Sequence, residues 1–184
     1  MTISTDFPAK YSQLFDLVDV DSSGEVTAQD MTALGERIIG AFGGAATAAK
    51  VQVVRAGFTT YWTGLAAPMG GGDGPFTRAQ FTEALTKAVG ESEEGFDRLL
   101  RPVAEAIFAL CDTDDSGVIT LAEFQRAEVA MGVPNEDSER VFRLIDANGD
   151  GDIDREELVA AVADFYRNPS ADSPMSDFFG SIGR

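Results

Sequence analysis

Asp146-Ala147-Asn148-Gly149-Asp150-Gly151-Asp152-Ile153-Asp154-Arg155-Glu156-Glu157 is the stretch from which the fold can be read. Oxygen-bearing side chains stand at its first, third, fifth, ninth and twelfth positions, and glycine stands at its sixth. A hard divalent cation such as Ca²⁺ takes several oxygens at about 2.3–2.6 Å in a flexible shell. Alternate residues Asp146, Asn148 and Asp150 can turn onto one point, and Gly151 supplies the positive φ that bends the chain sharply. Asp152 then offers its backbone carbonyl, Asp154 a contact through water, and Glu157 both carboxylate oxygens. Ile153, at the eighth position, points away from the metal into the core. The competing reading is an acidic surface turn, because Asp-Gly dipeptides turn readily. The complete spacing weighs against it.

Repetition decides the matter. Asp112, Asp114, Ser116, Val118, Thr120 and Glu123 fall at positions 1, 3, 5, 7, 9 and 12 of a second such frame, with Gly117 at position 6. Asp19, Asp21, Ser23, Glu25, Thr27 and Asp30 do so in a third, with Gly24 at position 6. The apolar neighbours keep phase: Phe15, Phe108 and Phe142 each precede position 1 by four residues, and Met31, Phe124 and Leu158 each follow position 12. This frame resembles the EF-hand calcium loop.

A fourth frame is degenerate. Aligning Phe81 with Phe124 and Leu158 places Met69 at position 1, Gly71 at 3, Asp73 at 5, Gly74 at 6, Phe76 at 8 and Gln80 at 12. The bend and the apolar eighth residue survive, but one carboxylate cannot offset the dehydration of Ca²⁺. The glycine run Gly70-Gly71-Gly72 is no phosphate cradle, since neither a P-loop lysine nor a strand-to-helix context follows. Such loops pair through short antiparallel bridges at position 8, so Val26 is expected to face Phe76, and Ile119 to face Ile153. The silent loop then serves as the partner that keeps 19–30 folded.

Composition narrows the function. Lys and Arg number 14 against 31 Asp and Glu, a formal charge of −17, which opposes nucleic acid and anionic membrane surfaces. Three bound Ca²⁺ would offset six of those charges. Histidine is absent and Cys111 is the sole cysteine, so zinc clusters and imidazole-dependent triads are excluded. Cys111 stands at an apolar position and reads as a buried structural thiol. Hydrophobic residues make up 44%, enough for a substantial core. Met1 to Asp6 has no signal-like run, Thr2 replaces the glycine that myristoylation requires, and no stretch approaches the ~20 apolar residues of a membrane span. The expectation is a soluble, monomeric, cytoplasmic protein without enzymatic activity.

The apolar periodicity predicts helices over about 5–18, 28–42, 46–65, 77–89, 92–111, 121–131, 136–145 and 155–166. Thr5 or Asp6 caps the first, Gly43-Gly44 breaks the second, and Pro102 either kinks its helix or marks where the regular part begins. The chain is thus expected to be all-α, with four EF-hands in two pairs: 1–90 with loops 19–30 and 69–80, 91–167 with loops 112–123 and 146–157, and a linker and tail over 168–184. The connection around Gly90-Glu91-Ser92 is short, so the pairs should form a single compact globule.

In its loops and its silent second hand the chain resembles the sarcoplasmic calcium-binding proteins and their bacterial counterparts of the calerythrin type. The resemblance implies a compact four-hand globule that buffers or transports Ca²⁺ with Mg²⁺ competing. Asp30 departs from the glutamate usual at position 12, which makes 19–30 the expected Mg²⁺-tolerant loop. A calcium sensor that opens an apolar groove to a protein target is the alternative, but only Met31 and Met131 lie in helices flanking calcium loops, and sensor grooves favour methionine. The tail segment Met175–Gly180, with adjacent Phe178 and Phe179, is expected to fold back into the apolar cleft between helices.

Overall fold

Helix α1, Phe7–Val18, buries Tyr11, Leu14, Phe15 and Val18, the face that spacing at three and four residues requires. The computed structural model describes residues 7–90 and 93–168. The caps expected at Thr5 and Asp6, the linker beyond Asn168 and the tail with Phe178 and Phe179 lie outside the described residues.

Helix α2, Ala28–Phe42, starts from a capping box between Thr27 and Asp30 and turns Met31, Leu34, Ile38 and Phe42 inward. Gly43, at φ 48°, stops it, and a 3-10 turn, Gly43–Ala45, leads to α3, Ala48–Ala66. The start of α3 lies slightly beyond the expected residue 46, because the Thr47 side chain accepts a hydrogen bond from Lys50 N and sets the first turn there.

Helix α4, Arg78–Leu85, is shorter than the periodicity implies, and residues Thr86–Gly90 widen into a π turn. Ala88 and Val89 remain buried through it. The helix expected over 92–111 is two helices, α5 (Glu93–Leu99) and α6 (Arg101–Cys111), with Pro102 in the first turn of α6. Proline has no N–H to donate there and its φ suits an opening turn, so it begins a helix rather than kinking one. Helices α7 (Leu121–Ala130), α8 (Asn135–Ile145) and α9 (Arg155–Arg167) complete the described fold.

Strand β1 (Glu25–Val26) pairs antiparallel with β2 (Phe76–Thr77), placing Val26 opposite Phe76. Ile119 and Ile153 form a lone antiparallel bridge with reciprocal N–H···O bonds of 2.8 and 2.9 Å. Both pairings fall where the loop frames place them.

The two halves pack through their helices: α3 lies along α6, and α2 contacts α7 as well as α3. One continuous core includes Phe15, Phe58, Phe81, Phe108, Phe124 and Phe165, so the all-α fold is compact. Phe15 meets Phe81 edge-on at 5.8 Å, and Phe124 meets Phe142 edge-on at 5.7 Å, each contact joining a residue before one loop to the residue after its partner. Cys111 is buried, and burial pushes its thiol well above the ordinary range. No described helix is long and apolar enough to cross a membrane.

The closeness of α3 to α5 depends on Gly64, where a Cβ would fall 2.0 Å from Leu99 Cδ2. Gly64→Ala is therefore expected to destabilise the protein by about 1–3 kcal/mol. Gly40, within α2, has no heavy atom within 4 Å of an added Cβ, and Gly40→Ala should stabilise by roughly 0.5–1 kcal/mol. Denaturant unfolding of both variants at fixed Ca²⁺ checks the pair; equal effects would exclude close packing at Gly64 as the cause.

Candidate metal centres

All four loops share one sharp bend. The residue at position 6 has positive φ in each: Gly24 at 82°, Gly74 at 97°, Gly117 at 87° and Gly151 at 95°. Side chains at that position would be strained, and at Gly74 a Cβ would also lie 2.9 Å from Val26 O. The bend is thus retained where the ligands have been lost.

In loop 19–30 the Asp19 carboxylate accepts from Ser23 N and Gly24 N, both at 2.9 Å, and Asp21 Oδ1 accepts from Ser23 N at 3.0 Å. Hydrogen bonds from Ser23 hold the Asp21 carboxyl below its usual range. Loop 112–123 repeats the arrangement, with Asp112 accepting from Ser116 N at 2.8 Å and Gly117 N at 3.0 Å. In loop 146–157, Asp146 accepts from Gly149 N and Gly151 N, and Asn148 from Asp150 N. Ser23 Oγ and Ser116 Oγ donate to the carbonyls of Glu25 and Val118 at 2.9 and 3.2 Å, so the oxygens of positions 5 and 7 lie side by side.

Position 12 is also the third residue of the exiting helix, and position 9 is its N-cap. Thr27 with Asp30, Thr120 with Glu123, and Asp154 with Glu157 each form a capping box. Thr77 with Gln80 forms a fourth in the degenerate loop. The carboxylates at position 12 thus occupy the first turn of a helix, where its dipole favours negative charge. The side chains of Thr27, Thr120 and Asp154 accept from the helix N-terminus, each with an acidic residue three positions on, Asp30, Glu123 and Glu157.

The two glutamates also close their loops. Glu123 Oε1 accepts from Thr113 N at 2.9 Å and from Thr113 Oγ1, while Oε2 accepts from Thr120 N. Glu157 Oε1 accepts from Ala147 N and Asn148 N at 3.1 Å, and Oε2 from Asp154 N. Burial raises the Glu123 pKa, but the bonds from Thr113 and Thr120 together outweigh it and bring it to about 2. Its carboxylate is ionised well below neutral pH. Asp30, one methylene shorter, is held by Thr27 N and Thr27 Oγ1, whereas Val20 N, at position 2, donates to Val18 O at 2.7 Å.

Carboxylate oxygens of Asp19, Asp21 and Asp30 lie within 4.8 Å of one another, as do those of Asp112, Asp114 and Glu123. Three like charges at that separation repel, and a divalent cation relieves the repulsion; the all-oxygen donor set suits Ca²⁺. Loop 146–157 forms no such carboxylate triple among the described residues, and its third position is the amide Asn148. In the degenerate loop, Trp62 stacks on Phe76 at 5.1 Å and donates to Gly72 O at 3.0 Å, while Asp73 O accepts from Ala28 N at 2.9 Å. The composition of the loops gave no sign of Lys50, which reaches from α3 to donate to Asp112 O and to pair with Asp115 at 2.7 Å.

Oxygen-lined loops between helices, bridged in antiparallel pairs, define a helix–loop–helix protein of the calcium-binding class. Residues 139–162 match the EF hand family and residues 72–127 the EF-hand domain pair. Calerythrin of Saccharopolyspora erythraea is 33% identical over 154 residues, covering 83% of this chain and 87% of that protein. The calcium-binding protein of Streptomyces coelicolor, described as a basis of prokaryotic calcium-mediated regulation, superposes with a TM-score of 0.76 at 28% identity, over 89% of this chain and 99% of that one. Calcium-loaded apo-aequorin of Aequorea victoria shares the fold, with a TM-score of 0.76 at 20% identity over 89% and 91% of the two chains. The chain belongs to the calerythrin family of EF-hand proteins, and calcium binding is its activity.

The contrast at position 12 generates a direct test. Asp30→Glu should let the carboxylate reach Val20 N–H, as Glu123 reaches Thr113 N–H, and add an oxygen to the shell. The preference for Ca²⁺ over Mg²⁺ at this loop is then expected to rise roughly tenfold. Competition titration measures it, and unchanged selectivity would show that side-chain length does not control the choice.

Proposed function

We propose that the protein is a cytoplasmic, monomeric Ca²⁺ buffer or signal modulator with three functional sites and no enzymatic activity. The ligands are Asp19, Asp21, Ser23, Glu25, Thr27 and Asp30 in the first site, Asp112, Asp114, Ser116, Val118, Thr120 and Glu123 in the second, and Asp146, Asn148, Asp150, Asp152, Asp154 and Glu157 in the third. Glu25, Val118 and Asp152 contribute backbone carbonyls. Loop 69–80 holds no ion, since Met69, Gly71 and Gln80 replace its ligands, and it acts as the structural partner of loop 19–30. Mg²⁺ competes chiefly at 19–30, where position 12 is the shorter Asp30. The organising domains are 1–90 and 91–167, with 168–184 as linker and tail.

The observation that carries the buffer role is the contact of α2 with α7 and of α3 with α6. A sensor must part its helices to expose an apolar groove; here the apolar faces of the two halves already cover each other. The second reading, a sensor that regulates a protein target, is favoured by the calcium-mediated regulation attributed to the Streptomyces coelicolor protein.

Calorimetric titration with Ca²⁺, run beside a dye that reports exposed apolar surface, separates them. Three ions per chain and little added dye signal are expected; a fourth ion would sink the silent-loop assignment, and strong Ca²⁺-induced dye binding would establish the sensor. Loop 146–157 has four carboxylates at ligand positions against three in 112–123, and more ligand charge tightens binding. Glu157→Gln should therefore cost more Ca²⁺ affinity than Glu123→Gln, each losing roughly tenfold or more. The reverse order would show that ligand charge does not rank the sites.

A further inference from the structure

The halves enclose a cavity of about 120 Å³ that the calcium sites do not use. Its walls come from α1, α2, α3, α6, α7 and α9 and include Leu34, Phe58, Ile107, Phe124 and Val162. An engineered apolar cavity of about 150 Å³ takes up benzene, so this space is on the scale of one aromatic ring.

One wall residue is out of character. Glu128, on α7, is 1% exposed, and its Oε2 is buried with no hydrogen-bond partner among the described residues. A buried polar atom without a partner is unfavourable, and an apolar residue would fill the position at no such cost. Burial raises the Glu128 pKa to about 8, so the group is a neutral carboxylic acid near pH 7, able both to accept and to donate. The other polar groups on the wall are the hydroxyls of Tyr61 and Tyr166, which are bonded to each other, and the Cys111 thiol, a weak donor. Water is a poor occupant, since a buried water needs two to four polar partners. A charged ligand is equally unsuited, because a neutral acid among apolar walls offers it no counter-charge.

We propose that this cavity binds a small neutral aromatic molecule bearing one O–H or N–H group, which donates to Glu128 Oε2. The ring takes the apolar volume and the hydroxyl or amine satisfies the orphaned oxygen. The cavity meets the metal loops only through Ile119, whose side chain faces inward, and through residues flanking them, and the reading goes beyond calcium buffering.

Phenol is the probe, titrated calorimetrically into the full Ca²⁺-loaded chain. Saturable binding of one phenol per chain is expected, retained in Glu128→Gln, which keeps an acceptor, and weakened at least tenfold in Glu128→Leu. Unchanged Ca²⁺ stoichiometry and Trp62 fluorescence establish that the variants are folded. Should Glu128→Leu not fold, the wild-type comparison with toluene decides: phenol is expected to bind at least as tightly although it is the more hydrated in water. Absence of saturable phenol binding, equal binding by Glu128→Leu, or toluene binding without phenol binding would overturn the proposal. So would phenol binding that appears only when Phe178 and Phe179 are both replaced by alanine, which would assign the cavity to the chain's own tail.

Discussion

The reciprocal backbone bonds between Ile119 and Ile153, with the pairing of Val26 to Phe76, set the conditions for the rest of the structure. A twelve-residue acidic loop has little apolar material of its own, and its carboxylates repel. Pairing at position 8 gives each loop a backbone partner and inserts one apolar side chain into the core. It also makes each loop's geometry depend on its neighbour. That dependence explains why residues 69–80 keep the bend and the bridge without the ligands. Trp62, stacked on Phe76 and bonded to Gly72 O, holds that loop by packing.

The second constraint is the double use of position 12. A carboxylate there caps the exiting helix and, when it is glutamate, spans the loop to the N–H of position 2. The capping partner fixes the helix start, and the cross-loop bond fixes the distance between the entering and exiting helices. Gln80 retains the first role in the loop that lacks ligands, accepting from Thr77 N and Thr77 Oγ1. Asp30 retains the first role and its charge, but leaves Val20 N–H to Val18 O. Loop 19–30 consequently combines a convergent carboxylate set with an opening at position 2 that the other two acidic loops close.

Much of this was legible in the sequence because the information is local and periodic. The loop frames, the apolar residues in phase with them, the bridges at position 8 and the burial of Cys111 all follow from fixed spacing. Helix boundaries were legible only in part. The T-x-x-D, T-x-x-Q and T-x-x-E patterns at 27, 77 and 120 mark the caps, but the cap at Thr47 and the π turn over 86–90 depend on competition between local bonds that periodicity does not register. Pro102 admitted two readings, and its place in the first turn of α6, after α5 ends at Leu99, decided between them. Glu128 was the least visible site residue, although it lies four residues after Phe124 on the same face of α7. An acid in an acidic chain reads as solvated, and only the assembled core reveals that this one is enclosed.

The same enclosure bears on the proposed buffer role. Opening a groove between helices would require α2 to leave α7 and α3 to leave α6, exposing apolar surface at about 25 cal/mol per Å². The Gly64 contact with Leu99 adds close packing that tolerates little sliding. Lys50 joins α3 to loop 112–123 through Asp112 O and Asp115, so that loop is tied to the other half. A buffer built this way would draw its charged loops tighter around a core that stays covered. On the proposed reading, relief of carboxylate repulsion at the acidic loops adds to the packing of one globule, and the binding free energy goes into order within the loops rather than into parting the halves.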